Sequence, residues 1–200
     1  MPGSTPNLQR ILSSAQGLIL AKGFPATTID EICDAAGVTK GGFYYHFESK
    51  HQLALALVEH HFDRLVAALA EGAHRTLEDP RSRVLAFVDH AAEVVRGPIL
   101  RDGCVLGVLA LDMAETNPEI RAAISARFSD LAAGLEGDLA AALRNASVAA
   151  PVDAGGLARQ FLAVLEGSII LAKAHRDPEL MVEGLRYYRM SLEAILSATK

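Results

Sequence analysis

The chain has no tryptophan, two cysteines and only 6% aromatic residues in its 200 positions. Cys33 and Cys104 are too few for a disulfide framework and lack the paired spacing of a zinc site, which suits a reducing compartment. No window approaches eighteen uninterrupted apolar residues, and the opening MPGSTPNLQR lacks the basic-then-apolar order of a signal peptide. The expectation is a soluble, cytoplasmic protein with no membrane partner. Positive charge is also scarce, with a formal net charge of -5. That argues against bulk nucleic-acid binding through a broad basic surface, so any such role must come from a local arrangement.

Catalytic signatures are missing as well. There is no Gly-rich phosphate loop, nucleophile elbow or paired-carboxylate pattern. His60 with Asp63, and His90 with Glu93, lie three apart on one helix face, but each lacks a further ligand at useful spacing. The neighbours His60 and His61 point about 100° apart and form a poor chelate. The chain is therefore expected to be no enzyme and to carry neither a metal nor a cofactor.

What is present is apolar residues, half of the composition, recurring at helical spacing with no sustained alternation of the strand type. The pattern predicts an all-α chain of about nine helices. A first helix over 7–22 stops at Gly23 and Pro25, and a second opens at the Thr27-Thr28 pair. Thr28 as cap puts Glu31 at the capping-box position, and Gly37 ends that helix. A short third helix runs from Thr39 or Lys40 to His46, and Ser49 caps a long fourth. The prolines at 80, 98, 118, 151 and 178 then divide the rest into helices of about 53–76, 80–96, 103–115, 118–146, 153–175 and 178–198. Residues 1–50 read as a DNA-binding domain of three helices and 51–200 as a larger helical domain.

Cys33, Gly37 and Phe43 carry the clearest local signal. A helix-turn-helix needs a small residue where its helices cross, a residue that permits the turn, and an apolar plug, and these three supply them in order. Ile29, Ile32, Ala36 and Val38 complete the apolar underside, leaving Lys40, Gly41, Tyr44, Tyr45 and His46 on other faces. Gly41 and Gly42 sit in the first turn of the third helix, where a glycine costs about 1 kcal/mol relative to alanine. Close approach to a partner would offset that cost. Lys40 can donate to guanine acceptors in a major groove, and the tyrosine hydroxyls, His46 and Lys50 can donate to phosphate. Up to Lys50 the four Lys and Arg balance the four Asp and Glu, so affinity must come from positioned donors and a doubled site.

The segment TTIDEICDAAGVTKGGFYYHFESKHQLALALVE resembles the DNA-binding motif of the TetR family (TetR/AcrR) of bacterial transcriptional regulators. The close match covers about residues 10–60; beyond it only length and helical layout agree. The resemblance implies an all-helical homodimer, a repressor, that binds a palindromic double-stranded DNA operator and leaves it when a small-molecule effector enters the C-terminal domain. It implies phosphate contacts by Thr28, Tyr45, His46 and Lys50, and base contacts by Thr39, Lys40, Gly41 and Tyr44. Cys33 stands where the family more often has alanine, one small residue for another.

A single helix-turn-helix reads too few base pairs to be selective, so pairing of two chains is expected. The stripes Phe161, Leu162, Leu165, Ile169 and Met181, Leu185, Tyr188, Leu192 are the expected dimer interface, since family members pair through a four-helix bundle at this end. The middle helices carry more apolar residues than one stripe each requires, which suits a ligand cavity. Phe62, Leu65, Phe87, His90, Cys104, Val108, Leu111, Met113 and Phe128 are candidates for its wall, and for each of them core packing is the competing explanation. Cys104 falls at the start of a helix, where the dipole favours a reactive thiolate, so a thiol-based electrophile sensor stands as an alternative beside an inert buried cysteine. A helical protein-interaction module is a further alternative, separable by salt-dependent binding of two-fold symmetric DNA.

Overall fold

The computed structural model describes residues 6–146 and 152–197. Among them are nine α-helices and no strand: α1 (Pro6–Lys22), α2 (Ile29–Ala36), α3 (Lys40–Tyr44), α4 (Lys50–Ala70), α5 (Pro80–Val94), α6 (Val105–Met113), α7 (Pro118–Asn145), α8 (Ala154–His175) and α9 (Glu179–Ser197). The all-α expectation holds.

Local chemistry explains several helix ends. Thr28 Oγ1 accepts from the Glu31 amide at 3.2 Å while Glu31 Oε2 accepts from the Thr28 amide at 2.9 Å, closing the capping box of α2. Gly37 then ends α2 in the left-handed region, at φ 61° and ψ 41°, which a side chain would make costly. Asp79 caps α5 through the Ser82 amide at 2.8 Å, with Pro80 in the first turn, where its missing amide donor costs nothing. Asp153 caps α8 through the Gly156 amide at 2.6 Å.

The expected helix over 53–76 is shorter at its end. α4 stops at Ala70, and a single 3-10 turn covers Ala73–Thr76. Gly72 between them is extended, and a Cβ there would lie 2.6 Å from the His90 ring and collide with His74. The chain leaves the helix where only a glycine fits. The stretch expected over 103–115 is helical only as Val105–Met113. Pro151 and the expected helix end at 198 lie outside the described residues.

The chain forms two compact units, one taking in residues up to Asp63 with Cys104–Arg127, the other Arg64–Gly103 with the chain from Phe128 onward. In the first unit, Ile11, Ile19, Ile32, Phe43, Leu53 and Leu57 are fully buried. Asp112, near the end of α6, accepts from the Phe24 amide at 2.7 Å, tying α6 to the turn that follows α1. In the second unit, α9 packs against α5 and α8. Arg189 bridges Asp89 at 2.7 Å and Glu193 at 2.9 Å, and Arg96 bridges Glu179 at 3.0 Å. Among the described residues one helix, α8, is long and apolar enough to cross a bilayer by length and composition, but a buried stripe of Leu157, Phe161, Leu165 and Ile169 makes it a core helix of this unit.

Candidate nucleic-acid interface

The helix-turn-helix assembles as the residue types require. Cys33 is 4% exposed at the crossing of α2 and α3, and Phe43 is completely buried, edge-on to Tyr44 at 5.5 Å and tilted against Phe47 at 5.7 Å. With Phe43 anchored inward, the polar side of α3 is forced outward. Thr39, Lys40, Gly41, Tyr44 and Tyr45 are all exposed, Tyr45 at 82%. His46 is half-buried, its ring edge-on to Tyr45 at 5.0 Å. Thr39 Oγ1 accepts from the Gly42 amide at 3.1 Å and so caps α3.

Gly41 has no intramolecular reason to lack a side chain. A Cβ there would meet nothing closer than Thr39 Oγ1 at 3.8 Å, an ordinary van der Waals contact. The backbone angle at Gly41 is also one that any residue adopts. Gly37, in contrast, is fixed by its left-handed backbone.

Electrostatics around α3 are arranged in pairs. Lys40 lies 2.9 Å from Asp30, both well exposed, and this partner raises its pKa. An ion pair so open to water is weak and readily exchanged for another anion. Glu31 is pushed down to about 2, first by its hydrogen bond from Lys22 and then by those from Thr28. Thr28 remains exposed, but its hydroxyl serves the cap and donates to Glu31 Oε2 at 2.9 Å.

Lys50 departs from the expectation that it reaches outward to phosphate. Its ammonium donates to the Phe24 carbonyl and lies 4.2 Å over the Phe24 ring. Burial, and then the charge of Lys22, lower its pKa. As the first residue of α4 it faces the turn after α1, and nearby carbonyls and an aromatic face take up its charge. The sequence around Lys50 contains nothing that names a partner 26 residues upstream.

The expected dimer stripe turns inward. Phe161, Leu165, Ile169, Met181, Leu185, Tyr188 and Leu192 are all buried within the single chain, and Leu162 is half-buried. Tyr188 donates to the Leu157 carbonyl at 2.9 Å and stacks edge-on to Phe161 at 5.7 Å, and burial pushes its hydroxyl up to about 12. Helical periodicity marks which face is buried and leaves open what buries it; here α8 and α9 bury each other. Their opposite faces carry Ile170, Leu171, Tyr187 and Met190, each more than half exposed.

The cavity-wall candidates do not share one environment. Leu65 and Cys104 are buried, Phe62, Phe87, His90, Val108, Met113 and Phe128 are half-buried, and Leu111 is 78% exposed, which removes it from any cavity wall. Phe62 lies under the Arg127 guanidinium at 4.9 Å, Phe87 packs on His74 and Phe161, and His90 Nε2 donates to the Ala68 carbonyl at 2.9 Å. Cys104 is 3% exposed with Sγ 3.7 Å from His61 Nε2, a placement that limits access to the thiol. Among the described residues, no group of three or more His, Cys, Asp or Glu is arranged to hold a metal.

Two features had no signal in the sequence. Asp112 reaches the Phe24 amide across 88 residues, and a buried His74 sits beside Phe87 and His90.

Comparison with known proteins bears on the whole arrangement. A family profile described as "Bacterial regulatory proteins, tetR family" matches residues 11–57, and one described as "Tetracyclin repressor-like, C-terminal domain" matches residues 80–188. An uncharacterized HTH-type transcriptional regulator of Lactococcus lactis subsp. lactis is 26% identical over 187 residues, covering 94% of this chain and 93% of its own length. The HTH-type transcriptional repressor DhaR of Mycobacterium sp. (strain GP1) is 23% identical over 200 residues, covering 98% and 96%. A TetR transcriptional regulator from Chloroflexus aurantiacus superposes with a TM-score of 0.79 at 26% identity, covering 92% of this chain and 93% of that one. With the helix-turn-helix at one end and a profile match across more than half of the chain at the other, this protein belongs to the TetR family of bacterial DNA-binding transcriptional regulators.

Proposed function

We propose that the chain is a cytoplasmic, homodimeric repressor that reads a palindromic operator through α3 and leaves it when a small-molecule effector binds. Residues 1–50 are the DNA-reading part, and 51–200 bind the effector and pair the chains. The bare Gly41 carries this reading. The glycine weakens α3, and neither its backbone angle nor its surroundings require it, so its use lies outside the protein: it clears a path for a base edge. Thr39, Lys40 and Tyr44 read bases around it, while Thr28, Tyr45 and His46 hold phosphates. Lys50 contributes by fixing the turn after α1. Repression is the role that the resemblance of the helix-turn-helix segment implies; relatives of this chain include both repressors and an activator.

Gly41→Ala is the direct test. Its unfolding temperature should stay level or rise, since alanine favours a helix by about 1 kcal/mol. Affinity for a two-fold symmetric operator, followed by fluorescence anisotropy, should fall about tenfold or more. An unchanged affinity would mean that α3 does not approach DNA closely at this position.

For pairing, the surface in question is the outward face of α8 and α9. Ala163, Gly167, Ile170 and Ala174 lie at four-three-four spacing on α8, and Tyr187, Met190 and Ala194 continue the same rhythm on α9. Small residues let two helices approach closely, and Gly167 has open space above it. Tyr187→Glu should give monomers by light scattering and abolish tight binding to the full palindrome. A dimer that survives the substitution would refute this interface.

A further inference from the structure

The second compact unit contains a cavity that neither the DNA-reading helix nor the expected ligand wall accounts for. It has a volume of about 270 Å³ and lies between the end of α8, the start of α9 and the loop that precedes α6. Its floor is apolar and buried, made by Ile169, Ala172 and Met181. Around it stand three cations, Arg101, Lys173 and Arg176, against one acid, Asp102, which lies 3.7 Å from Arg101.

Ordinary helix electrostatics explain only part of this. Lys173 lies in the last turn of α8, where a cation complements the helix dipole. Arg101 comes from a separate loop and has no such reason to be there. Arg176 is the more informative residue. It occupies the left-handed position after α8, at φ 55°, and among the described residues it is the one non-glycine with positive φ. The amide of Asp177 returns to the Ala172 carbonyl at 3.0 Å, a helix ending in which glycine is the unstrained choice. A side chain held there at a backbone cost is held for what it does. Arg176 makes no ion pair among the described residues, and it borders the cavity. Gly103, at φ 124°, shapes the opposite edge with a conformation that side chains rarely adopt.

We propose that this cavity binds a small amphipathic carboxylate, its tail on Ile169, Ala172 and Met181 and its head between Arg101, Lys173 and Arg176. The volume corresponds to roughly nine waters at about 30 Å³ each, enough for a medium-length acyl chain. An apolar floor with a few converging polar groups is the usual composition of such sites. On binding, the carboxylate takes the place of Asp102 beside Arg101, and no covalent change is involved. The inference deepens the regulator reading by naming the class of effector, and rests on that reading only for its consequence at DNA. Gly103 is bonded to Cys104, the residue before α6, and α6 carries the Asp112 that holds the Phe24 amide.

The test uses the full chain, without DNA, titrated with sodium octanoate by isothermal calorimetry, with octanol and inorganic phosphate as controls. Octanoate should saturate at one per chain, displace the Met181 methyl resonance, and bind at least about tenfold more tightly than either control. Arg176→Gly removes the guanidinium while suiting the left-handed backbone, so the fold should be retained or strengthened while octanoate affinity drops about tenfold. Lys173→Gln should lower it in the same direction. No saturable binding, octanol binding equal to octanoate, phosphate binding as tight as octanoate, or affinity unmoved by both substitutions would each overturn the proposal. An operator titration is kept separate: octanoate binding without operator release would leave the site standing and remove its role as the inducing signal. Failure of the ligand-free protein to bind any operator would instead count against the regulator reading.

Discussion

Two lysines of the DNA-reading unit look alike in sequence and differ in the structure. Lys40 is well exposed and pairs with Asp30, a partner it can release, whereas Lys50 is partly buried with its ammonium on the Phe24 carbonyl and ring. Lys40→Ala should leave the unfolding temperature unchanged, relax base preference and lower operator affinity at all salt concentrations tested. Lys50→Ala should cost about 1 kcal/mol or more of stability through the lost charged hydrogen bond. It should also change the slope of log affinity against log salt by less than the value of about 0.9 that a lost phosphate contact gives. Urea unfolding and anisotropy titrations at several salt concentrations separate the two. A full unit of slope lost in Lys50→Ala would restore the phosphate contact implied by family resemblance.

At the scale of elements, the contact between α8 and α9 depends on a glycine meeting a serine. A methyl at Gly184 would overlap Ser168 Oγ and come within 3.1 Å of its Cβ, and Ser168 is itself buried. Gly184→Ala should therefore destabilise by about 1–3 kcal/mol, the ordinary range for overpacking, despite the better helix propensity of alanine. Ser168→Ala removes the hydroxyl and should recover much of that loss when combined with it, a coupling that urea unfolding of the four proteins would measure. If the two substitutions simply add, the helices are not in register at this point. The break after α4 has the same origin: Gly72 fits beneath His74 and His90, and no sequence period reports a gap of that shape.

For the molecule as a whole, His74 sets an acid limit. It is 7% exposed, and burial, followed by the charges of His90 and Arg75, lowers its pKa, with Asp138 opposing. The unfolded chain takes up a proton near the usual value of about 6.5 while the folded chain takes it up only at lower pH. Between those values the unfolded state binds more protons, so stability is full above about pH 6.5 and declines as pH falls through the folded value. Glu31 and Asp79, held below their ordinary range, contribute at pH values above the carboxylate range and are lost only at still lower pH. Thermal unfolding between pH 8 and pH 5 should show the decline in the wild type and a flatter profile in His74→Gln. Identical profiles would assign the acid sensitivity elsewhere.

The sequence by itself determined what is decided locally: nine helices, the ends at Gly23, Thr28, Gly37 and Ser49, and the packing of Cys33, Gly37 and Phe43 that turns α3 outward. Those features depend on residues three to six apart, whose side chains and amides meet whatever the rest of the chain does. Tertiary structure alone decided where long side chains spend their charge and which apolar face meets which. Lys50 turned to a carbonyl 26 residues away, and Asp112 to an amide 88 residues away. The stripe through Phe161 and Tyr188 closed on its own chain and left Ile170, Tyr187 and Met190 outside. An apolar stripe records only that a face leaves water, and the hydrophobic effect that drives this is non-directional. Its partner, like the cavity beside Arg176, exists only once distant segments of the chain have come together.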